Sequence, residues 1–379
     1  MESLHTRIVS EKGCRIFTPL LNGEQTLRRR DFFSDHRDDK LLTKDVVFVD
    51  TRYILHLTDL TNKHKDNTFI IETLHKLRAK GVKLLLFDSS DDSGCRYFDL
   101  IEHVDLIVKK QILSDKSLYL KQPIESQKLF VWSYGLTEEQ KKGARSSFEQ
   151  FKRCPDDQLH KLRVGWDIGL VDYRFLPLQR YYPINTVRLF NNIYEAPSFV
   201  KPKENLRDID SSFRGQIKDG DKKFSYQINK LVYFFQNYSG GDKNYLTGSK
   251  VSKRTYLNEL KRSKTCVSPY GWGEVCYRDF EAIICGSLLI KPDMSHITTW
   301  PNIYKKDKTY IPLQWNMSDL EETLNRTLEN INDYEAYIHS AQSIYKEHYL
   351  NADKFINHFR ELVQRVYRLD FNPRVEIWR

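Results

Sequence analysis

The chain is 379 residues long, 40% hydrophobic and 13% aromatic, with 22 Tyr and 21 Phe. At roughly 150 residues per domain that length suits about two domains, and the apolar share excludes a globally disordered chain. The net charge is +9, from 60 Lys and Arg against 51 Asp and Glu, and most of the surplus sits between Lys218 and Lys264, where eleven cations meet four carboxylates.

A local basic zone favours a phosphate-bearing partner: a nucleotide, a nucleic acid or an anionic membrane surface. The longest apolar run, Ala282–Ile290, contains Gly286 and Ser287 and is about half of what a bilayer-spanning helix needs. The opening Met1-Glu2-Ser3-Leu4-His5-Thr6-Arg7 lacks the charged-then-apolar pattern of a secretion signal. The six cysteines (Cys14, Cys95, Cys154, Cys266, Cys276, Cys285) show no Cys-x-x-Cys spacing, which argues against a zinc ribbon, a redox dithiol or a disulfide framework. A reducing, cytoplasmic setting is expected, with Cys266, Cys276 and Cys285 acting as small buried hydrophobes.

In chain order, Asp45–Asp50 is a short apolar run that reads as a buried strand. Thr68 to Lys80 places Ile70, Ile71, Leu74 and Leu77 at helical spacing, and Gly81 closes that helix. Val82–Asp88 follows as a second strand, giving the strand–helix–strand signature of a parallel sheet. Val104–Val108 and Lys128–Trp132 read as further strands of it. From Cys154 to Lys203 prolines recur without a long periodic segment, so 154–203 is expected to connect two domains.

A second series then begins. Strands are expected at Asp208–Phe213, Thr265–Ser268, Ser287–Ile290 and Thr309–Leu313, and helices at 225–236, 253–262 and Tyr277–Cys285, the last stopped by Gly286. The chain from Ser318 onward reads as helical, with Ser318 and Glu321 as a capping box. The fold class predicted is α/β, with two Rossmann-like doubly wound domains facing across a cleft. In open parallel sheets ligands bind beyond the carboxyl ends of the strands.

The segment richest in chemistry runs from Ser268 to Ile290, where a strand ends in a glycine-rich turn and a helix starts at once. Gly271 and Gly273 would let the backbone approach a ligand, and the free amides of the helix would form an anion site. Arg278 and Glu281, three apart, share a helical face. A cation there can hold a phosphate while a carboxylate accepts sugar hydroxyls, and a local Arg278–Glu281 ion pair is the competing reading.

This segment resembles the donor-binding segment of GT-B glycosyltransferases, in wording closest to the exostosin-like and spore-maturation-like group-one types. Ser268, Gly271, Gly273, Arg278, Glu281, Ala282 and Gly286 carry the resemblance, which extends over about Asp208 to Leu313. It implies transfer of a sugar from a nucleotide-diphosphate donor to a saccharide acceptor hydroxyl. It divides the chain into an acceptor domain at 1–153, the connection at 154–203, a nucleotide-sugar domain at 204–350, and a tail at 351–379 packing back towards the first domain. Many retaining members carry two glutamates eight positions apart. Glu281 fits the second, but Gly273 stands at the first and Glu274 is one residue out of register, which favours inversion.

The donor set implied by the resemblance is Arg214, Lys218, Lys222, Ser268, Tyr270, Gly271, Gly273, Glu274, Arg278, Glu281 and His296, with Asp293 beside His296 as a secondary candidate. Asp208-Ile209-Asp210 and Asp219-Gly220-Asp221 each match the short Asp-x-Asp pattern that can hold a divalent ion. In the resembling architecture arginine, lysine and helix amides neutralise the diphosphate instead, so no metal and no cofactor are expected. An inverting transfer needs a general base. Asp88, Asp91 and Asp92, clustered after a strand, are the candidates, with Asp50 and Asp167 behind them and a helix cap as the structural alternative.

Two partner readings remain open. The acceptor can be lipid-linked, with Lys250, Lys253, Arg254, Lys261 and Arg262 at the inner face of a membrane. The alternative is a non-catalytic polyanion binder gripping nucleic acid or anionic lipid through residues 218–264. The enzyme reading expects no nucleic acid.

Overall fold

The computed structural model describes residues 6–9, 46–51, 68–88, 90–121, 152–170, 198–202, 206–217, 222–239, 241–349 and 351–369. Two five-stranded sheets, parallel throughout, organise the chain. The architecture is α/β with two Rossmann-like units. Among the described residues no helix is long and apolar enough to cross a membrane.

The first sheet is ordered β1 (Thr6–Val9), β2 (Val46–Asp50), β3 (Lys83–Asp88), β4 (Leu106–Lys109) and, at its far edge, β6 (Leu162–Val164). Val46, Val47, Leu84, Leu85 and Leu86 are fully buried, as continuous apolar strands covered on both faces must be. Helix α1 (Thr68–Arg78) lays Ile70, Leu74 and Leu77 into this core. It ends where Gly81 takes φ +77°, a left-handed conformation that glycine adopts without a Cβ clash.

The stretch expected to connect the domains, 154–203, supplies a strand: β6 pairs with β4, and Trp166 just beyond stacks on Phe87 at 4.6 Å between ring centroids. Burying that indole ties the connection into the first core. The strand expected at Lys128–Trp132 lies outside the described residues.

The second sheet is ordered β12 (Ile311–Leu313), β10 (Leu288–Pro292), β9 (Ser263–Val267), β7 (Ile209–Ser212), β8 (Tyr245–Leu246). From β7 the chain steps outward through α2 (Lys222–Asn237) to β8. It then returns through α3 (Lys253–Arg262) to β9 on the other side and continues outward through α4 (Tyr277–Ile284) to β10. The direction of winding therefore reverses between β7 and β9, and the loops leaving those two strands diverge there.

Helix α4 stops at Gly286, with φ +69° and Val200 O where a Cβ would stand. The capping box expected at Ser318 is absent. Helix α5 (Leu320–Glu329) starts from Asp319, Ser318 Oγ donates to Gln314 Oε1 at 2.7 Å, and the Asp319 carboxylate accepts from Gln314 N.

A third, two-stranded ladder joins the units. β5 (Gln111–Leu113) from the first runs antiparallel to β11 (Ile297–Thr299) from the second. After α6 (Glu335–Ile344), the final helix α7 (Ala352–Leu369) returns to the first sheet, where Phe359 stacks on Phe48 at 4.9 Å and Phe355 meets Trp166 edge-on.

Candidate functional site at the switch point of the second sheet

Arg278 springs from the second position of α4, and its guanidinium lies over the Phe213 ring, 4.5 Å from the centroid. Phe213 immediately follows β7 and Ser268 immediately follows β9. Arg278 therefore bridges the two strand ends between which the winding reverses. Its Nη1 makes a long contact to Ser268 Oγ at 3.4 Å, and no carboxylate among the described residues forms an ion pair with it. Burial works to lower its pKa, but nearby Tyr256 and Cys276 hold it above its ordinary value. A half-buried cation stacked on an aromatic face, with no ion-pair partner among the described residues, is suited to bind an anion.

The helical-face neighbour Glu281 does not pair with Arg278. Its carboxylate is buried and bonded to Lys253 at the start of α3. Ser252 caps that helix by accepting from Thr255 N at 3.1 Å. Lys253 Nζ also lies 5.3 Å from the Tyr256 ring centroid, and burial followed by the Glu281 charge pushes the Tyr256 phenol well above its usual range. Arg278, Tyr256, Lys253 and Glu281 thus form one cluster at the carboxyl edge of the sheet.

Arg214, expected to grip a diphosphate, is committed elsewhere: Nε donates to Glu259 Oε2 at 2.8 Å, Nη2 bonds to the other carboxylate oxygen, and Nη1 donates to Thr247 O. A bidentate arginine–carboxylate fork leaves little for a ligand. Lys218 lies outside the described residues, as does the Asp219-Gly220-Asp221 triplet. Lys222 opens α2, and its side chain, like that of Asp50, is outside the description.

The two glycines differ in role. A Cβ on Gly273 would stand 1.4 Å from Asp91 O and 2.3 Å from Asp91 C, whereas one on Gly271 would meet Cys276 Sγ at an ordinary 3.6 Å. Gly273 is therefore needed by the other half of the protein: the glycine loop packs backbone to backbone on the loop after β3. Glu274 completes that seam. Fully buried, its carboxylate accepts from Ser93 Oγ at 2.6 Å, Ser93 N at 3.0 Å and Gln111 Nε2 at 3.4 Å. Both residues, expected to face the donor, are thus engaged across the seam.

The three base candidates separate clearly. Asp88 is fully buried against the equally buried Lys109 at 2.6 Å. Burial would raise its pKa, but the Lys109 charge and hydrogen bonds from Lys109 and Ser90 hold it below the ordinary carboxylate range. It is a closed ion pair and cannot reach an acceptor. Asp92, also buried, accepts from Gly94 N at 2.8 Å; burial, with the Glu274 charge added, pushes its carboxyl up to about 7. Asp91 alone faces solvent, its side chain 53% exposed and held by Lys110 at 2.7 Å. Asp167 is buried too. Tyr349 Oη donates to it at 2.6 Å and Gly169 N at 2.8 Å, and burial takes its carboxyl up to about 7.

Sequence reasoning missed Asp279, the hub beneath the glycine loop. It accepts from Ser268 Oγ at 2.5 Å, Tyr304 Oη at 2.7 Å, Cys276 N at 3.0 Å and the buried Lys291. Ser268 is consequently a support of this hub more than a free ligand group. Its signal was an acidic residue in the first turn of α4, which reads as an ordinary cap. Tyr270 is also structural: Oη donates to Asp293 O at 2.8 Å and its amide to Gln227 Oε1 at 2.9 Å. His296 packs edge-on against Trp315 at 4.6 Å, and burial lowers its pKa. Asp293 is tied to Ser295 and Lys306.

Part of the basic window is paired: Arg262 with Asp208, Lys264 with Asp210 at 2.6 Å and Lys253 with Glu281, while Arg214, just outside it, pairs with Glu259. These pairs also occupy the Asp208–Asp210 triplet.

No family model matches the chain, and no curated protein matches it. Among solved structures, a crystal structure of TarM is similar at 9% identity and a TM-score of 0.42, over 84% of this chain and 54% of that one. An alpha-glucosyltransferase in complex with UDP is similar at 10% identity and TM-score 0.40, over 94% of this chain and 99% of that one. The pneumococcal O-GlcNAc transferase GtfA in complex with UDP and GlcNAc is similar at 10% identity and TM-score 0.40, over 85% and 57%. The chain thus spans little more than half the length of TarM and of GtfA.

Proposed function

We propose that this chain is a glycosyltransferase that moves a sugar from a nucleotide-diphosphate donor to a saccharide hydroxyl. The observation that carries the reading is Arg278: a cation with no ion-pair partner among the described residues, stacked on Phe213 at the point where the second sheet reverses its winding. That crevice is where open α/β sheets bind nucleotides. In this reading Arg278, aided by the start of α4, takes the diphosphate and stabilises the charge that develops on it as the glycosidic bond breaks. The Lys253–Glu281 pair borders the same edge, where Glu281 accepts sugar hydroxyls. Asp91, the one solvent-facing carboxylate of its cluster, takes the acceptor proton.

The reading extends to a single inverting displacement without a metal. Its support is the glycine at position 273 in place of a glutamate, and the engagement of Asp208 and Asp210 with Arg262 and Lys264. Its acceptor is a free or lipid-linked glycan.

The test is a melting-temperature panel with UDP, GDP, CMP, dTDP and their sugars on wild type and Arg278→Ala. A ligand at a hundred times its Kd stabilises by about 2.7 kcal/mol. Stabilisation by one nucleotide family in wild type, absent in Arg278→Ala, is the expected result, and no stabilisation by any of them overturns the proposal. Turnover that survives chelator, with inverted anomeric coupling in the product's proton NMR spectrum, checks the finer reading.

A further inference from the structure

The glycine turn presents one large apolar side chain outward. Gly271 N donates to Gly273 O at 3.1 Å, drawing Gly271-Trp272-Gly273 into a tight turn with Trp272 at its tip. The Trp272 side chain is 66% exposed, although the residues on either side of this turn, Tyr270 and Glu274, are buried. Its base cannot swing freely, because Gly273 is seated on the Asp91 backbone and Glu274 is fastened to Ser93 and Gln111.

Across that contact stands the solvent-facing Asp91 carboxylate, itself held by Lys110, whose side chain is 7% exposed. Trp272 and Asp91 therefore sit on two loops in backbone contact where the units touch, each beyond the carboxyl edge of its sheet. An exposed indole on a constrained turn is a flat apolar surface carried on backbone that is already ordered before a ligand arrives. A pyranose has the complementary form, with a face of C–H groups that lies on an aromatic ring and a rim of hydroxyls that donate to a carboxylate.

We infer that Trp272 is the stacking platform of a saccharide subsite, with the apolar face of a pyranose on the indole and a hydroxyl of that sugar directed to Asp91. The inference rests on the glycosyltransferase reading and specifies its acceptor: the subsite takes an uncharged pyranose unit and sits on the same loop that forms the nucleotide edge. Trp272 is a positioning residue in this account, and it acts by holding the acceptor hydroxyl next to the carboxylate.

The test is saturation-transfer NMR on the full chain with cellotetraose, chitotetraose and maltotetraose, run beside the nucleotide melting panel. Saturation concentrated on the C–H protons of one pyranose face of at least one of these is expected. Trp272→Ala and Trp272→Gln should each lower it about fivefold, the size of one aromatic stacking contact, whereas Trp272→Tyr keeps most of it and all three variants keep the nucleotide response. Saturation of none of the three by wild type, or undiminished saturation by both Trp272→Ala and Trp272→Gln, overturns the inference. A missing nucleotide response in wild type sinks the transferase reading, and the NMR result then judges saccharide stacking by itself.

Discussion

Gly271→Ala and Gly273→Ala add the same methyl group two residues apart and should behave as opposites. At position 273 the new carbon would stand 1.4 Å from Asp91 O, 2.3 Å from Asp91 C and 3.1 Å from Asp92 N. These are backbone atoms that no rotamer change can move. Restoring van der Waals distance means parting the two loops by about 2 Å, which stretches both Ser93 bonds to Glu274 beyond hydrogen-bonding range. Overpacking of this kind costs about 1–3 kcal/mol, occasionally more, and leaving the buried Glu274 carboxylate unpaired adds to it. At position 271 the methyl meets Cys276 Sγ at 3.6 Å, and the change should stay within about 0.5 kcal/mol. Urea unfolding followed by tryptophan fluorescence, with the nucleotide melting panel alongside, separates the cases. Gly273→Ala should lose stability and acceptor turnover but keep its nucleotide response, because Arg278 lies within the second unit. If Gly273→Ala instead keeps its stability and loses nucleotide binding, the glycine serves a ligand, and the account of the seam is wrong.

Three further outcomes follow from buried charge and from the fork of Arg278. Asp88→Asn or Lys109→Met alone should destabilise by about 3–5 kcal/mol, with the double variant Asp88→Leu/Lys109→Met recovering much of it; a variant Asp88→Asn that melts like wild type but does not turn over would instead make Asp88 the base. The Asp92 carboxyl, raised to about 7, keeps a proton that the unfolded chain gives up, so wild-type stability falls as pH rises from about 4 to about 7 and levels off above. Asp92→Asn should flatten that fall, its advantage over wild type growing by at most about 4 kcal/mol across the window; unfolding curves at pH 4.5, 6 and 8 that stay parallel refute this. Arg278→Lys keeps a charge but loses the planar fork, so nucleotide affinity measured by calorimetry should fall about tenfold, and an unchanged Kd would show that the fork is not used.

Much of the scaffold could be read from local pattern. Strands β2, β3 and β10 are built on short apolar runs, and Gly81 and Gly286 stand where helices α1 and α4 end, both at positive φ. Strand β6 escaped because three residues inside a proline-containing stretch carry too little periodicity to register. The site was legible in outline only. Periodicity shows which face a side chain occupies and nothing of what stands opposite. Glu281 found Lys253 on another helix instead of Arg278 on its own, Arg214 found Glu259, and Glu274 found Ser93, 181 positions away. Gly273 looked like room for a ligand because a glycine records only that something comes close. What comes close is Asp91.

The last helix carries a consequence for how the molecule can be divided. Its Phe359 lies on Phe48 and its His358 stacks on Trp300 at 4.0 Å while bonding to Gly165 O, so residues from both ends of the chain share one interior. Cutting the polypeptide midway would strand part of the amino-terminal core on the carboxy-terminal piece. The first unit expressed without that helix would expose Phe48 and Trp166 to water, and a fragment covering the second unit would carry a loose amphipathic segment. Complementation by two co-produced fragments is therefore the workable way to separate the second unit from the first.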